Sequence, residues 1–197
     1  MAKRIAVLVS GGGTNLQALI DAQQRGEIIG GEIAAVIASN HEAYALERAQ
    51  KADIPTYVVA RKAYSSSQAM TQALVERLQS LDIDLVVLAG FMVILTSEMV
   101  PALIPSFAGP GCYGLHVHEK ALEYGVKLSG ATVHFVSEEC DGGPIVSQKA
   151  VEVLPDDTPE TLQRRIMEQC EWKLLPQAVS LFCQGRLKVE GRKVRIL

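Results

Sequence analysis

"RIAVLVSGGGTNLQALIDAQQRG", residues 4–26, decides how the rest of the chain is read. Arg4 to Ser10 is an apolar run rich in β-branched residues, which suits a strand. Three glycines follow. From Thr14 onward Leu16, Leu19 and Ile20 recur at helical spacing. The same order then repeats. "EIAAVIAS" (32–39) precedes "EAYALERAQKA" (42–52), "PTYVVA" (55–60) precedes "SSQAMTQALVERLQSL" (66–81), and "IDLVVLAG" (83–90) follows. Strict alternation of strand and helix predicts an α/β fold, a mostly parallel central sheet with helices on both faces. Near-continuous Val, Ile, Leu and Ala runs are what strands buried on both faces carry.

The second half reads differently. "PALIPSFAGPGCYG" (101–114) is too rich in proline and glycine for a regular element. A short helix is expected over "HVHEKALEYG", then strands over "GATVHFVSE" (130–138) and "GPIVSQKAVEVL" (143–154). One long helix should run from about Thr158 to Gly185, with Pro159 in its first turn. "RLKVEGRKVRIL" closes the chain as a hairpin around Glu190–Gly191. No repeat, low-complexity stretch or linker divides it, so residues 1–197 are expected to form one domain.

Composition narrows the function classes. Hydrophobic residues make up 48% and charged residues 21%, enough for a sizeable core. A net charge of −3 gives no push towards nucleic acid or anionic membrane, and no apolar run is long enough to span a bilayer. "MAKRIAVLVS" faintly mimics a signal peptide, but its apolar run of about half a dozen residues ends in glycines and reads as a first strand. Cys112, Cys140, Cys170 and Cys183 form no C-x-x-C and no zinc-like spacing. Reduced thiols of a cytoplasmic protein are expected. His116 and His118 make an H-x-H without an evident third ligand, so no metal is expected.

Two stretches carry candidate chemistry. "VSGGGTNLQ" (9–17) puts backbone amides, unobstructed by side chains, at a helix N-terminus, which suits an anion. The dinucleotide pattern G-x-G-x-x-G fails at Leu16, and there is no Gly-Lys-Ser/Thr. A plain βα turn is the alternative, although three successive glycines are costly for one. A nucleotide-dependent oxidoreductase would need an acid near the end of the second strand, and "IASNHE" offers Glu42 only late. In "ATVHFVSEECDGGP" (131–144), His134 lies mid-strand and Asp141 at a glycine-rich exit. That is either a catalytic pair or a core histidine beside a turn. "LAGFMVIL" (88–95) is either an apolar wall for a flat heterocycle or simply core.

Taken in order, "SGGGTNLQ", "VVLAGFM", "GLHVHEKALEYG", "GATVHFV" with "DGGP", and "EWKLLP" resemble the glycinamide ribonucleotide formyltransferases. The resemblance runs from Arg4 to about Phe182. Methionyl-tRNA formyltransferases and formyltetrahydrofolate hydrolases share the fold. The resemblance implies a Rossmann-like formyltransferase fold with an antiparallel C-terminal portion, residues 1–90 binding the ribonucleotide and 91–197 holding the folate and the chemistry. It implies a reaction in which the amine of glycinamide ribonucleotide attacks the formyl carbon of 10-formyltetrahydrofolate, a co-substrate, with no tightly bound cofactor. The protein would be a monomer or homodimer. Gly13, Thr14 and Asn15 would hold the phosphate, and Glu171 would contact the sugar. Met92, Val93, Ile94 and Leu95 would contact the pterin, and Ser137, Glu138, Glu139, Cys140 and Asp141 would line the same pocket. Asp141 would orient and charge the catalytic histidine, with His134 beside it. A cation expected near Ser67 would be replaced by Arg61 or Lys62.

One implied piece is absent. The family's catalytic histidine belongs to an Asn-x-His-Pro segment on a central strand, whereas here Val100 meets Pro101 directly. A vacant interior strand would cost more than the usual net stability of about 5–15 kcal/mol. Either a strand-sized segment of roughly ten residues belongs between Val100 and Pro101, or the chain is a ligand-binding relic, poorly folded or without turnover.

Overall fold

The computed structural model describes residues 1–93, 114–137 and 141–197, and the backbone of 102–106. Strand β1 (Lys3–Val9) leads to α1 (Thr14–Gln24), β2 (Gly31–Ala38), α2 (Ala45–Lys51), β3 (Thr56–Val58), α3 (Ser67–Ser80) and β4 (Leu85–Leu88). Then come β5 (Ala102–Ser106), α4 (His116–Tyr124), β6 (Leu128–Phe135), β7 (Ile145–Glu152), α5 (Pro159–Ile166), a π turn (Met167–Glu171), α6 (Trp172–Cys183) and the hairpin β8 (Leu187–Glu190) and β9 (Lys193–Ile196). The strands form one sheet in the order β3-β2-β1-β4-β5-β6-β7-β9-β8. β3, β2, β1, β4 and β5 run parallel, and β6 and β7 continue antiparallel.

The alternation of side chains along β1 explains why helices lie on both faces. Ile5, Val7 and Val9 point into a core shared with α1, α2 and α6. Ala6 and Leu8 point the other way, against Met70, Leu74 and Leu78 of α3. Ser66 caps α3 by accepting a 3.1 Å hydrogen bond from the Ala69 amide. A third, smaller core sets Leu162, Ile166 and Cys170 against Ala131 and Val151 of the β6–β7 pair. Among the described residues no helix is long and apolar enough to cross a membrane.

The structure corrects the reading of residues 101–114. Ala102–Ser106 is a strand, pairing Ala102 and Leu103 with Val86 and Val87 on one side and running opposite Thr132–Phe135 on the other. Pro105 argued against a strand because it has no N–H to give. It is accommodated because the pairing with β4 ends at Leu103, so among the described residues only β6 flanks the strand beyond that point. The interior position is therefore filled, and the expected gap beside β4 does not exist.

The long C-terminal helix is also interrupted. A capping box formed by Thr158 and Thr161 starts α5, with Pro159 at its first turn. Asp157, with its side chain only 2% exposed, accepts 2.6 Å bonds from both Nη1 and Nη2 of Arg165, plus bonds from the Leu154 amide and the Thr161 hydroxyl. These donors hold its carboxyl far below the usual carboxylate range, Arg165 contributing most. A lowered folded-state value means stability that is present above about pH 4, near the unfolded carboxyl, and is lost as pH falls further. Asp157→Asn is expected to destabilise the protein by about 2–3 kcal/mol at neutral pH and to flatten the acid side of the stability curve, measured by urea denaturation between pH 3 and 7.

Candidate active site

The carboxyl ends of β1, β2 and β4 are joined through Ser10. Its hydroxyl accepts a 2.7 Å bond from Ser39 Oγ and a 2.9 Å bond from the Met92 amide. Its carbonyl accepts from Asn40 Nδ2 at 2.9 Å, and its amide donates to Gly90 at 3.1 Å. Sequence patterns gave no sign of this role. A serine before glycines reads as punctuation, and only the sheet order brings residues 39 and 92 to it.

Next comes the glycine loop. Gly13 has φ +71°, and a Cβ there would lie 2.6 Å from the Ala45 side chain and 2.9 Å from its Cα. The fold itself demands this glycine. Gly11 and Gly12 are different: both are exposed, and a Cβ on either would meet nothing within 4 Å. The Gly11 carbonyl accepts from the Ala45 amide at 3.1 Å and the Gly12 carbonyl from Arg48 Nε at 2.8 Å. Arg48, which also reaches Gln17 at 3.0 Å, is a cation beside the loop that motif reading overlooked. Thr14 opens α1, and no side chain caps it. Asn15 Nδ2 donates at 2.9 Å to Glu171 Oε2, linking the loop to the π turn. Burial pushes the Glu171 carboxyl up, and the Asn15 donor opposes that.

Along the next loop, Phe91 and Val93 pack on the α3 side of the core, while Met92 is 59% exposed. Ile94, Leu95, Glu138, Glu139 and Cys140 lie outside the described residues. Ser137 is exposed at the end of β6. Arg61 donates to the Tyr64 carbonyl at 2.9 Å, and Lys62 is exposed in the same short turn.

His134 and Asp141 do come together. His134 stands opposite Ile104, and the rungs Val87–Leu103–Phe135 set it near the carboxyl end of β4. Its Nδ1 lies 2.7 Å from the Phe135 carbonyl, which can only accept, so the ring proton is on Nδ1. Nε2 then faces Asp141 Oδ1 at 3.7 Å, an ion pair when the ring is an imidazolium. The histidine side chain is 2% exposed and the aspartate 18%. Asp141 adopts φ +55°, a left-handed conformation that Asp tolerates better than most residues. Gly143 is required here for space, since a Cβ would overlap the Phe135 carbonyl and sit 3.2 Å from His134 Nδ1. His116 pairs with Glu119 at 2.8 Å, and His118 is buried, its pKa lowered by that burial. Among the described residues no group of three or more His, Cys, Asp or Glu side chains could hold a metal.

A glycine loop thus lies at the carboxyl end of a parallel sheet, with an acid–histidine pair two strands beyond β4. The formyl transferase family model matches residues 3–179, and the chain belongs to that family. Within it, the chain is 43% identical to phosphoribosylglycinamide formyltransferase of Haemophilus influenzae, over 95% of this chain and 91% of that one. It is 39% identical to the Escherichia coli enzyme of the same name, over 94% and 89%. The solved structure of glycinamide ribonucleotide transformylase 1 from Symbiobacterium toebii superposes with a TM-score of 0.91 at 45% identity, covering all of this chain and 94% of that one.

Two substitutions probe this scaffold. Ser10→Ala leaves the Ser39 hydroxyl and Met92 amide without their acceptor, at a cost of about 1–3 kcal/mol. Gly143→Ala is expected to cost at least as much and to move the His134 ring, seen as a shifted imidazole resonance by NMR.

Proposed function

We propose that the chain transfers the formyl group of 10-formyltetrahydrofolate to the primary amine of glycinamide ribonucleotide, a step of de novo purine biosynthesis. The near end-to-end likeness to phosphoribosylglycinamide formyltransferases carries this reading. It needs no tightly bound cofactor, since the folate enters and leaves as a co-substrate. We place the protein in the cytoplasm, as a monomer or homodimer working on these small molecules.

The glycine loop supports the phosphate end of the ribonucleotide. Only Gly13 is dictated by the fold, so the openness of Gly11 and Gly12 is best accounted for by a guest that approaches the backbone. Gly13, Thr14 and Asn15 would present their amides to it. The exposed Met92, with Val93 and the segment that follows, would hold the pterin together with Ser137–Asp141.

Chemistry requires the amine to attack the formyl carbon, an oxyanion to form, the amine proton to leave, and the bond from the formyl carbon to the folate nitrogen to break as tetrahydrofolate departs with a proton on that nitrogen. The burial of the pair supports a division of parts. Asp141 reaches solvent and His134 does not, so the proton leaves through Asp141, directly or by one water. His134 stands behind it, its Nε2 facing the carboxylate, and orients it. The Asn-x-His segment is absent from this sequence, which makes Asp141 the group on which turnover rests.

Asp141→Asn is expected to lower kcat by about 10²–10⁴-fold while folate affinity stays within a few-fold, measured by formyl transfer and by fluorescence titration. Tight folate binding by the unmutated chain with no transfer would overturn the enzyme reading and leave a binding relic.

A further inference from the structure

We infer that the Asn15 side chain is a positioning residue for Glu171, holding that carboxylate towards the sugar of the ribonucleotide and leaving the phosphate to the loop backbone. This rests on the proposed substrate, and it changes what Asn15 does there.

Three independent observations carry it. First, one amide hydrogen of Asn15 is committed to Glu171 at 2.9 Å, across 156 residues of sequence. Second, Asn15 Oδ1 is buried and has no hydrogen-bond partner among the described residues. An atom closed to solvent is closed to a phosphate oxygen as well, which leaves the anion to the backbone of the loop. Third, the helix is distorted where it delivers Glu171. The fully buried positions Leu162, Ile166 and Cys170 are four apart, and the next fully buried side chain, Leu175, comes one residue further on, with Leu174 half-buried against both cores. The π turn Met167–Glu171 absorbs the extra residue, with the Trp172 amide bonding to Met167 five positions back.

Pro176 gives the local cause. It has no N–H to return to the Trp172 carbonyl, and its ring crowds that carbonyl, so the helix is already weakened one turn on. An inserted residue turns the helix face by about 100°. That rotation lets α5 keep its stripe on β6–β7 and α6 keep Leu175, Ala178 and Val179 on the main core, while Glu171 meets α1. A π turn at a site is a recurrent device for aiming one side chain. The carboxylate so aimed is desolvated, and the Asn15 donor favours its charged form.

The test is calorimetric titration of glycinamide ribonucleotide into the unmutated protein, Asn15→Leu, Glu171→Gln and the double variant, repeated across pH. Affinity is read directly, so the result stands whether or not formyl transfer occurs. Asn15→Leu is expected to weaken binding about 10-fold or more, as for a lost bond to a charged group, and to move the acid limb of the affinity profile to higher pH. The double variant should bind no worse than Glu171→Gln. Asn15→Asp preserves shape and places two carboxylates together, so its weakened binding should recover on acidification. Additive penalties, or an unmoved acid limb, would place Asn15 on the phosphate and overturn the inference. Unchanged affinity in Glu171→Gln would sink the sugar contact, whereas full binding without transfer would sink the reaction alone.

Discussion

The backbone of a sheet interior admits no vacancy, and this chain depends on that constraint at one place. Between β4 and β6 the N–H and C=O groups of both neighbours need partners, because burial without them costs about 1–3 kcal/mol each. Ala102–Ser106 supplies them, parallel to one neighbour and antiparallel to the other. It is a short strand with a proline in it, a poor candidate by propensity. It is there because its neighbours leave nothing else for that position. Without it the half of the chain that carries His134 and Asp141 would have no sheet connection to the half that carries the glycine loop.

How much was legible in the sequence follows from the range of each interaction. The elements of the first half were readable because their signals are local: an apolar run, a glycine break, a helical stripe. Gly13 and Asp141 were readable as special positions for the same reason. What stayed hidden depends on topology. Ser10 becomes a junction only when β2 and β4 flank β1. Arg48 reaches the loop because α2 packs on it. β5 contradicted its own composition because tertiary demand outweighed local preference. The π turn stayed hidden because Leu174 continues the four-residue spacing of Leu162, Ile166 and Cys170 in the sequence, and Pro176 alone hints at a break.

The pair in β6 shows how a histidine can be both core residue and site residue. Its ring is buried among the strands, and one nitrogen is fixed by the next residue's carbonyl. The other is left facing the exit loop, while Gly143 clears the space around the Phe135 carbonyl and Nδ1. The two readings offered by the sequence are not exclusive: the Phe135 carbonyl holds the proton on Nδ1, and the ring so oriented turns Nε2 towards the aspartate.

The contrast among the three loop glycines carries a consequence for how such a chain evolves. Gly13 is held by the fold, through its backbone conformation and its contact with Ala45. Gly11 and Gly12 serve the fold through their carbonyls, which any residue would supply, and their missing side chains leave open space. Selection at those two positions is therefore blind to stability and sees only the guest. A lineage that stopped using the guest would be free to drift there first, while Gly13 would persist as a fossil of the fold.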